Sequence, residues 1–213
     1  MEETPRPARE GPRSKKRRQT RNRLMEEGLA LMAQRGIHAC KVEEITRAAG
    51  VGKGTFFTHF KSKQHFVAVL VDQVLNDLVR RVRPLGLSPT DAESLLAGVG
   101  TVHLRYFQLR PQAAALLTQA VGLVEHGQAG EAIKERLAEH LEGVAQMLLP
   151  ACQSLGWPPE HARELALMVL ANAVGFFYLG APLGLGGDTP MSLLDRLGRV
   201  LARGLARKDQ PPQ

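Results

Sequence analysis

The most informative stretch of this chain is VEEITRAAGVGKGTFFTHFKSK, residues 42–63. A short helix ends at Ala-Ala-Gly, where Gly50 is free to adopt the left-handed conformation that stops a helix. Val51 follows as a single apolar residue that can anchor the turn in a core, and a second short helix begins near Lys53. Two short helices joined by a glycine-containing turn predict a helix-turn-helix, whose second helix enters the DNA major groove.

Positive charge is concentrated in the same part of the chain. Residues 1–63 hold 15 of the 28 Lys and Arg residues but only 7 of the 21 Asp and Glu residues, a net charge of +8. The other 150 residues carry a net charge of −1. A cationic segment that coincides with a helix-turn-helix is typical of phosphate binding. The alternative is that the basic residues between 13 and 23 only keep a tail soluble.

Length and composition exclude several classes of protein. A chain of 213 residues with 44% hydrophobic residues can bury a core in one large domain or two small ones. We find no apolar stretch long and uncharged enough to cross a bilayer, and no secretory signal. Cys40 and Cys152 lie far apart without CxxC spacing, which favours two reduced thiols over a disulfide or a metal site. We expect a cytoplasmic protein without a cofactor.

Apolar residues recur at helical spacing along nearly the whole chain, and no convincing strand pattern occurs. The sequence therefore predicts an all-α protein of about nine helices, at residues 15–35, 42–49, 53–59, 62–83, 91–109, 112–125, 130–155, 160–179 and 190–207. Ser62 is predicted to cap the fourth helix and Thr90 the fifth. Pro150 falls inside the seventh helix, where a proline is able to cause a kink.

Several short motifs occur in a fixed order between residues 24 and 70. They are Arg35-Gly36, Val42 with Ile45, Ala49-Gly50-Val51, Lys53-Gly54-Thr55, Phe57-Thr58-His59-Phe60 and Lys61-Ser62-Lys63. This set resembles the DNA-binding domain of the TetR family of bacterial transcription regulators. Beyond the fourth helix the resemblance extends only to length, helix number and apolar character. It implies a DNA-binding regulator, a repressor by default, that is released from DNA when a small molecule binds its second domain.

With this resemblance the chain divides into four parts. Residues 1–13 are expected to form a disordered basic arm and residues 14–62 the helix-turn-helix domain. Residues 63–84 form a connecting helix, and residues 88–207 a helical domain for ligand binding and dimerisation. Two departures from the family affect single contacts. Phe57 replaces the usual Tyr and lacks its hydroxyl, and Lys41 stands where a Ser or Thr usually caps the second helix.

The DNA-contacting residues are expected around the start of the third helix. Lys can pair with guanine and the Thr methyl can contact thymine, which makes Lys53 and Thr55 candidates for base edges. Glycines there let the backbone approach phosphate closely. The predicted set is Lys41, Gly52, Lys53, Gly54, Thr55, Thr58, His59 and Lys63. Phe56 and Phe60 are expected to be core residues, and the arm before the first helix is a further candidate for minor-groove contact.

A single helix-turn-helix reads few base pairs, so we expect a homodimer on a near-palindromic stretch of double-stranded DNA. The last two helices are the predicted interface. Their apolar residues are Leu167, Leu170, Ala171, Val174 and Tyr178 in the first, and Leu193, Leu197, Val200, Leu201 and Leu205 in the second. The alternative is that these residues belong to the core of one chain.

Large apolar side chains dominate the candidate ligand-binding residues. They are His103, Tyr106, Phe107, Val121, Met147, Met168, Asn172 and Phe176, with Leu117, Cys152, Trp157 and Phe177 as further candidates. Such a lining favours an apolar or amphipathic small molecule over a sugar or a nucleotide. For each residue the alternative is a plain core position, and Arg105 with His103 is an alternative anchor for an anion.

Three other functions remain open from the sequence. An enzyme is disfavoured because no HExxH, GxSxG, P-loop or clustered Cys/His motif occurs, so no catalytic residue is predicted. A metal sensor would use His103, His126, His140 or His161, although the last three are expected at the surface. An architectural DNA-binding protein would bind without sequence preference and would need no large apolar domain.

Overall fold

The computed structural model describes residues 11–87, 91–127, 130–179, 196 and 199–200. Eight α-helices lie in the continuous parts: α1 Pro12–Arg35, α2 Val42–Ala48, α3 Lys53–His59, α4 Lys63–Val82, α5 Ala92–Leu109, α6 Pro111–Glu125, α7 Glu131–Ser154 and α8 Ala162–Leu179. Short 3-10 segments, Arg83–Leu87 and Pro159–His161, follow α4 and precede α8. No strand occurs among the described residues, and the all-α prediction is confirmed. The predicted helix at 190–207, with Leu193, Leu197, Leu201 and Leu205, lies outside the continuous described parts.

The chain divides into two compact units, Met1–Val67 and Ala68–Gln213. The division falls inside α4, so the first residues of this helix belong to the first unit and the rest to the second. Helix α1 begins at Pro12, before the predicted end of a disordered arm at residue 13, because proline is well suited to the first turn of a helix.

The first unit is built on a cluster of three phenylalanine rings. Phe56 and Phe60 of α3 and Phe66 of α4 are buried, with ring centroids 4.7–5.3 Å apart. This confirms the prediction that Phe56 and Phe60 are core residues. Gly28 of α1 faces the cluster, where a Cβ atom would lie 2.3 Å from Cζ of Phe66. Glycine therefore allows α1 to pack directly against the edge of an aromatic ring.

Local backbone geometry explains where the helices of this unit begin and end. Gly50 adopts a φ of 66°, and the Val51 N–H donates to the Thr46 carbonyl at 2.9 Å, which closes α2 as predicted. Ser62 is confirmed as the cap of α4, because its Oγ accepts from the His65 N–H at 3.0 Å.

One cap in the second unit was predicted wrongly. The carboxylate of Asp91 accepts from the Ser94 N–H at 2.9 Å, so Asp91 is the N-cap of α5. Thr90, the predicted cap, lies outside the described residues. Both side chains are suitable caps, and the sequence cannot distinguish two suitable caps that stand next to each other.

The core of the second unit joins α5, α7 and α8. Its large buried residues are Leu95, Leu96, Val99, Val144, Leu148, Leu165 and Val169. Pro150 lies inside α7, which continues through it to Ser154.

Helix α8 is more apolar than the sequence prediction allowed. The segment Pro159–Leu179 is long and apolar enough to cross a membrane by length and composition, so the expectation that no such stretch exists was wrong. A single segment of this kind is weak evidence for a membrane span, since core helices of soluble proteins meet the same criteria. Only 28% of its most apolar window is buried within this chain, which leaves an apolar face of α8 exposed.

Candidate functional site

Helix α3 presents its start to solvent. Gly52 is the N-cap, and Lys53 and Gly54 are exposed beside it. The Lys53 ammonium does not extend freely, because its Nζ lies 2.5 Å from Oε1 of Glu43 on α2. The hydrogen bond from Lys53 is the largest cause of a lowered pKa at Glu43. The lysine predicted to read a base is thus paired with a carboxylate of the preceding helix.

The start of α2 is held by a carboxylate rather than by the side chain of its N-cap residue. Lys41 has only donors on its ammonium and makes no side-chain cap. Its backbone N–H instead donates to Oε2 of Glu44 at 2.8 Å, and Arg35 pairs with Oε1 of the same carboxylate at 2.5 Å. The bond from Lys41 is the largest cause of the lowered pKa of Glu44. The Lys41 side chain remains exposed and available for a phosphate.

The other predicted residues of α3 differ in what they present. A Cβ atom added at Gly52 or Gly54 would meet nothing within 4 Å, so the protein itself leaves this side of the backbone open. Thr55 is half-buried. Thr58 is exposed, but its Oγ1 donates to the Gly54 carbonyl at 3.1 Å.

The basic start of α1 lies next to the end of α3. His59 is half-buried, and its pKa is lowered first by burial and then by the positive charges of Arg17 and Arg21. The guanidinium carbon of Arg21 is 5.5 Å from the centroid of the Phe60 ring. These two arginines were not in the predicted set. Arg17 and Arg21 precede the buried Leu24 by seven and three residues, so all three lie on the same side of α1. This helical spacing is the sequence pattern that could have identified the two arginines.

Lys63 has a structural bond in addition to its predicted role at DNA. Its Nζ donates to the His38 carbonyl at 2.9 Å and so ties the start of α4 to the segment between α1 and α2. The side chain is half-buried. A phosphate contact by Lys63 would therefore add to this bond or replace it.

In the second unit, three of the predicted ligand-binding residues are buried on one helix. His103, Tyr106 and Phe107 lie on α5, and the Phe107 ring contacts Phe177 of α8 with centroids 5.8 Å apart. Met147 is partly buried against the core cluster.

The remaining predicted residues are less enclosed. Met168 and Phe176 are half-buried, and the Asn172 side chain donates to the Met168 carbonyl at 2.7 Å. Val121 is 53% exposed and does not face the interior, and Arg105, the alternative anion anchor, is exposed as well.

His140 was expected at the surface, and that expectation was wrong. Its ring on α7 is buried against His103, with the two Nε2 atoms 3.1 Å apart. Burial lowers the pKa of His103 to about 4, and burial together with the neighbouring imidazole lowers that of His140 to about 3. Nothing in the local sequence of α7 indicates this pairing, because it depends on how α5 packs against α7.

Comparisons with known proteins agree with these features. The model of the tetR family of bacterial regulatory proteins matches residues 24–70. The transcriptional regulator TcmR of Streptomyces glaucescens is 30% identical over 167 residues, which cover 78% of this chain and 74% of that protein. The chain belongs to the TetR family. It is therefore a helix-turn-helix transcriptional regulator by descent, as the ordered motifs of residues 24–70 predicted.

Other transcription regulators resemble this chain over different lengths. The repressor DhaR of Mycobacterium sp. strain GP1 is 37% identical over 62 residues, 29% of this chain and only 31% of that protein. The regulator FadR of Bacillus subtilis, solved with stearoyl-CoA, shares the fold with a TM-score of 0.65. Its identity is 19%, and the match covers 88% of this chain and 95% of that one.

Proposed function

We propose that this TetR-family protein is a cytoplasmic, sequence-specific repressor, without catalytic activity, that a small molecule releases from a near-palindromic operator. The observation that carries the proposal is the basic edge formed by α1 and α3. Lys53 stands at the start of α3, and Arg17 and Arg21 lie near its end. Cations at both ends of an exposed helix suit a major groove, whose two phosphate backbones lie on either side of the helix.

Within this edge, phosphate contacts and base contacts fall to different residues. Lys41, Arg17 and Arg21 are suited to phosphates, which fix the position of the helix on the duplex. Lys53 and Thr55 are suited to base edges at the start of the helix. The glycines at 52 and 54 leave room for the DNA to approach.

The exposed face of α8 supports a homodimer. Leu167, Ala171, Val174 and Tyr178 are exposed at spacings of three and four residues, so they form one apolar stripe. A second copy of the chain would cover this stripe, as expected for a protein that reads a two-fold symmetric operator. Leu170, also predicted to face a partner, is partly buried against the core of its own chain.

The dimer can be tested without unfolding the chain. Leu167 is 58% exposed, so Leu167→Asp removes no buried contact within the chain but places a charge in the stripe. We expect a monomer in sedimentation velocity, with native helix content by circular dichroism. Leu109→Asp, at a residue that is also exposed but lies at the end of α5, is the control and should remain dimeric. A dimeric Leu167→Asp protein would place the interface elsewhere.

The interior of the second unit supports an apolar or amphipathic effector. Phe107 of α5 and Phe177 of α8 contact each other there, and a transcription regulator of the same fold was solved with stearoyl-CoA. Release from DNA requires that the effector bind more tightly to the form that does not match the operator.

The experiment that tests the proposal is selection of bound DNA from random fragments by the purified full-length protein at near-physiological salt. We expect one enriched near-palindrome, and we expect Lys53→Ala with Thr55→Ala to lose it. Circular dichroism should show native helix content in the double variant, because Lys53 is exposed and Thr55 is only half-buried. Enrichment without a shared sequence would favour the architectural function instead.

A further inference from the structure

Two imidazoles form a hydrogen-bonded pair inside the second unit. His103 of α5 and His140 of α7 are both buried, and their Nε2 atoms lie 3.1 Å apart. Nδ1 of His103 is 2.8 Å from the Val99 carbonyl oxygen. The positions of these three atoms determine where the protons are.

The carbonyl of Val99 can only accept, so Nδ1 of His103 carries a proton and donates it. Because the ring is neutral, Nε2 of His103 is then an acceptor. The facing Nε2 of His140 must donate to it, and that ring is neutral too. Nδ1 of His140 is left without a proton, as a pure acceptor.

That acceptor has no partner among the described residues, although it is buried. Buried polar atoms in native proteins are nearly always hydrogen-bonded, so an orphaned acceptor in a binding domain indicates a missing donor. A buried water or a ligand hydroxyl would each supply one.

The surroundings of the pair restrict the kind of ligand. The ring of His103 contacts Phe107, and Phe107 contacts Phe177 of α8. On α7, the neighbouring charged residues Arg136 and Glu139 are exposed and form an ion pair with each other. No third His, Cys, Asp or Glu joins the pair in the described part of the chain, as a metal site would need.

We propose that Nδ1 of His140 accepts a hydrogen bond from the hydroxyl group of a neutral, largely apolar effector, and that His103 is the positioning residue that fixes the tautomer. This inference rests on the proposed effector-binding function and names the chemical class of the effector. A carboxylate presents only lone pairs to this nitrogen and is disfavoured. An alcohol or a phenol supplies the donor, and its apolar part fits the aromatic residues nearby.

The binding test uses two matched compounds and the full-length protein. Octylphenol has a hydroxyl donor, whereas octylanisole has the same skeleton with the donor methylated. We expect isothermal titration to give about ten-fold tighter binding of octylphenol, the typical contribution of one buried hydrogen bond. His140→Phe should abolish the preference, and His126→Phe, at an exposed histidine of the same unit, should keep it. Equal affinities, or no binding of either compound, would overturn the proposal.

A measurement on the unmodified protein covers the case in which His140→Phe does not fold. Nitrogen-15 spectra should show His103 protonated at Nδ1 and His140 protonated at Nε2. Octylphenol should shift the Nδ1 resonance of His140 towards the hydrogen-bonded range, and octylanisole should not. A proton on Nδ1 of His140 would overturn the inference. The same shift in the absence of either compound would also overturn it, since a water would then fill the site. The DNA selection needs no ligand, so it tests sequence-specific DNA binding independently of the effector site.

Discussion

Nζ of Lys53 lies 2.5 Å from Oε1 of Glu43, so the lysine predicted to read DNA is already paired within its own protein. Both side chains are about half exposed, and the pair joins the two helices of the helix-turn-helix. Exposed pairs of this kind contribute little to stability, which means that a phosphate or a base can compete for the lysine. The Glu43 carboxylate, in contrast, would repel the phosphates of DNA bound at this helix.

Glu43→Gln should therefore strengthen DNA binding. Removal of the carboxylate frees Lys53 and takes a negative charge away from the phosphates, so we expect roughly two- to five-fold higher affinity at low salt. Fluorescence anisotropy with the operator obtained from the DNA selection measures this affinity. Glu26→Gln, at an exposed position of α1, is the control for the loss of one charge. Weaker binding by Glu43→Gln would mean that the pair is needed to orient Lys53.

Gly28→Ala should destabilise the first unit. The added Cβ would lie 2.3 Å from Cζ of Phe66, inside the phenylalanine cluster, and overpacking of this kind costs about 1–3 kcal/mol. Urea denaturation followed by circular dichroism gives the change in unfolding free energy. Gly143→Ala, where the added Cβ meets nothing within 4 Å inside α7, should be neutral or stabilising by about 0.5–1 kcal/mol. Equal effects of the two substitutions would contradict the close approach.

Gly54→Ala should separate DNA binding from stability. The free protein has open space at this position, and alanine favours a helix, so the unfolding free energy should not fall. The DNA is expected to approach the backbone here, and the methyl group should weaken operator binding. Anisotropy and thermal unfolding on the same preparation provide both quantities. Unchanged operator affinity would show that the duplex does not come close to Gly54.

Acid should destabilise the second unit through its histidine pair. The pKa values of His103 and His140 in the folded protein are lowered to about 4 and about 3, below the ordinary value of 6.5. Between these values the unfolded chain binds more protons, so stability is complete above pH 6.5 and falls as the pH decreases. Linkage gives a loss on the order of 2 kcal/mol per imidazole between pH 7 and pH 5. Urea denaturation at a series of pH values measures this loss of unfolding free energy.

His38→Gln is the control for this pH dependence, because His38 is exposed. It should leave the slope of unfolding free energy against pH unchanged. His140→Phe should reduce the slope, since one of the two buried imidazoles is gone. The same slope in both variants would assign the acid sensitivity to other groups.

Most helix limits could be predicted because their causes are local. Gly50 closes α2 through its own backbone conformation, and Ser62 caps α4 through a bond to a residue three positions away. The relationship of Glu43 to Lys53 could not be predicted, since it depends on how two helices turn relative to each other. The burial of His140 likewise depends on the contact between α5 and α7. The apolar stripe of α8 was predicted as an interface, but its sequence does not show which residues the chain itself covers.

The helical start of α1 lowers the conformational entropy that this segment would lose on binding DNA. A disordered arm would lose about 1–2 kcal/mol of backbone conformational entropy for each residue that becomes ordered on DNA. Residues from Pro12 onwards are already helical, so Arg17 and Arg21, if they bind phosphates as proposed, would do so without that loss. Binding by this segment should accordingly resemble the docking of a rigid body, with little of the heat-capacity change that accompanies folding on contact.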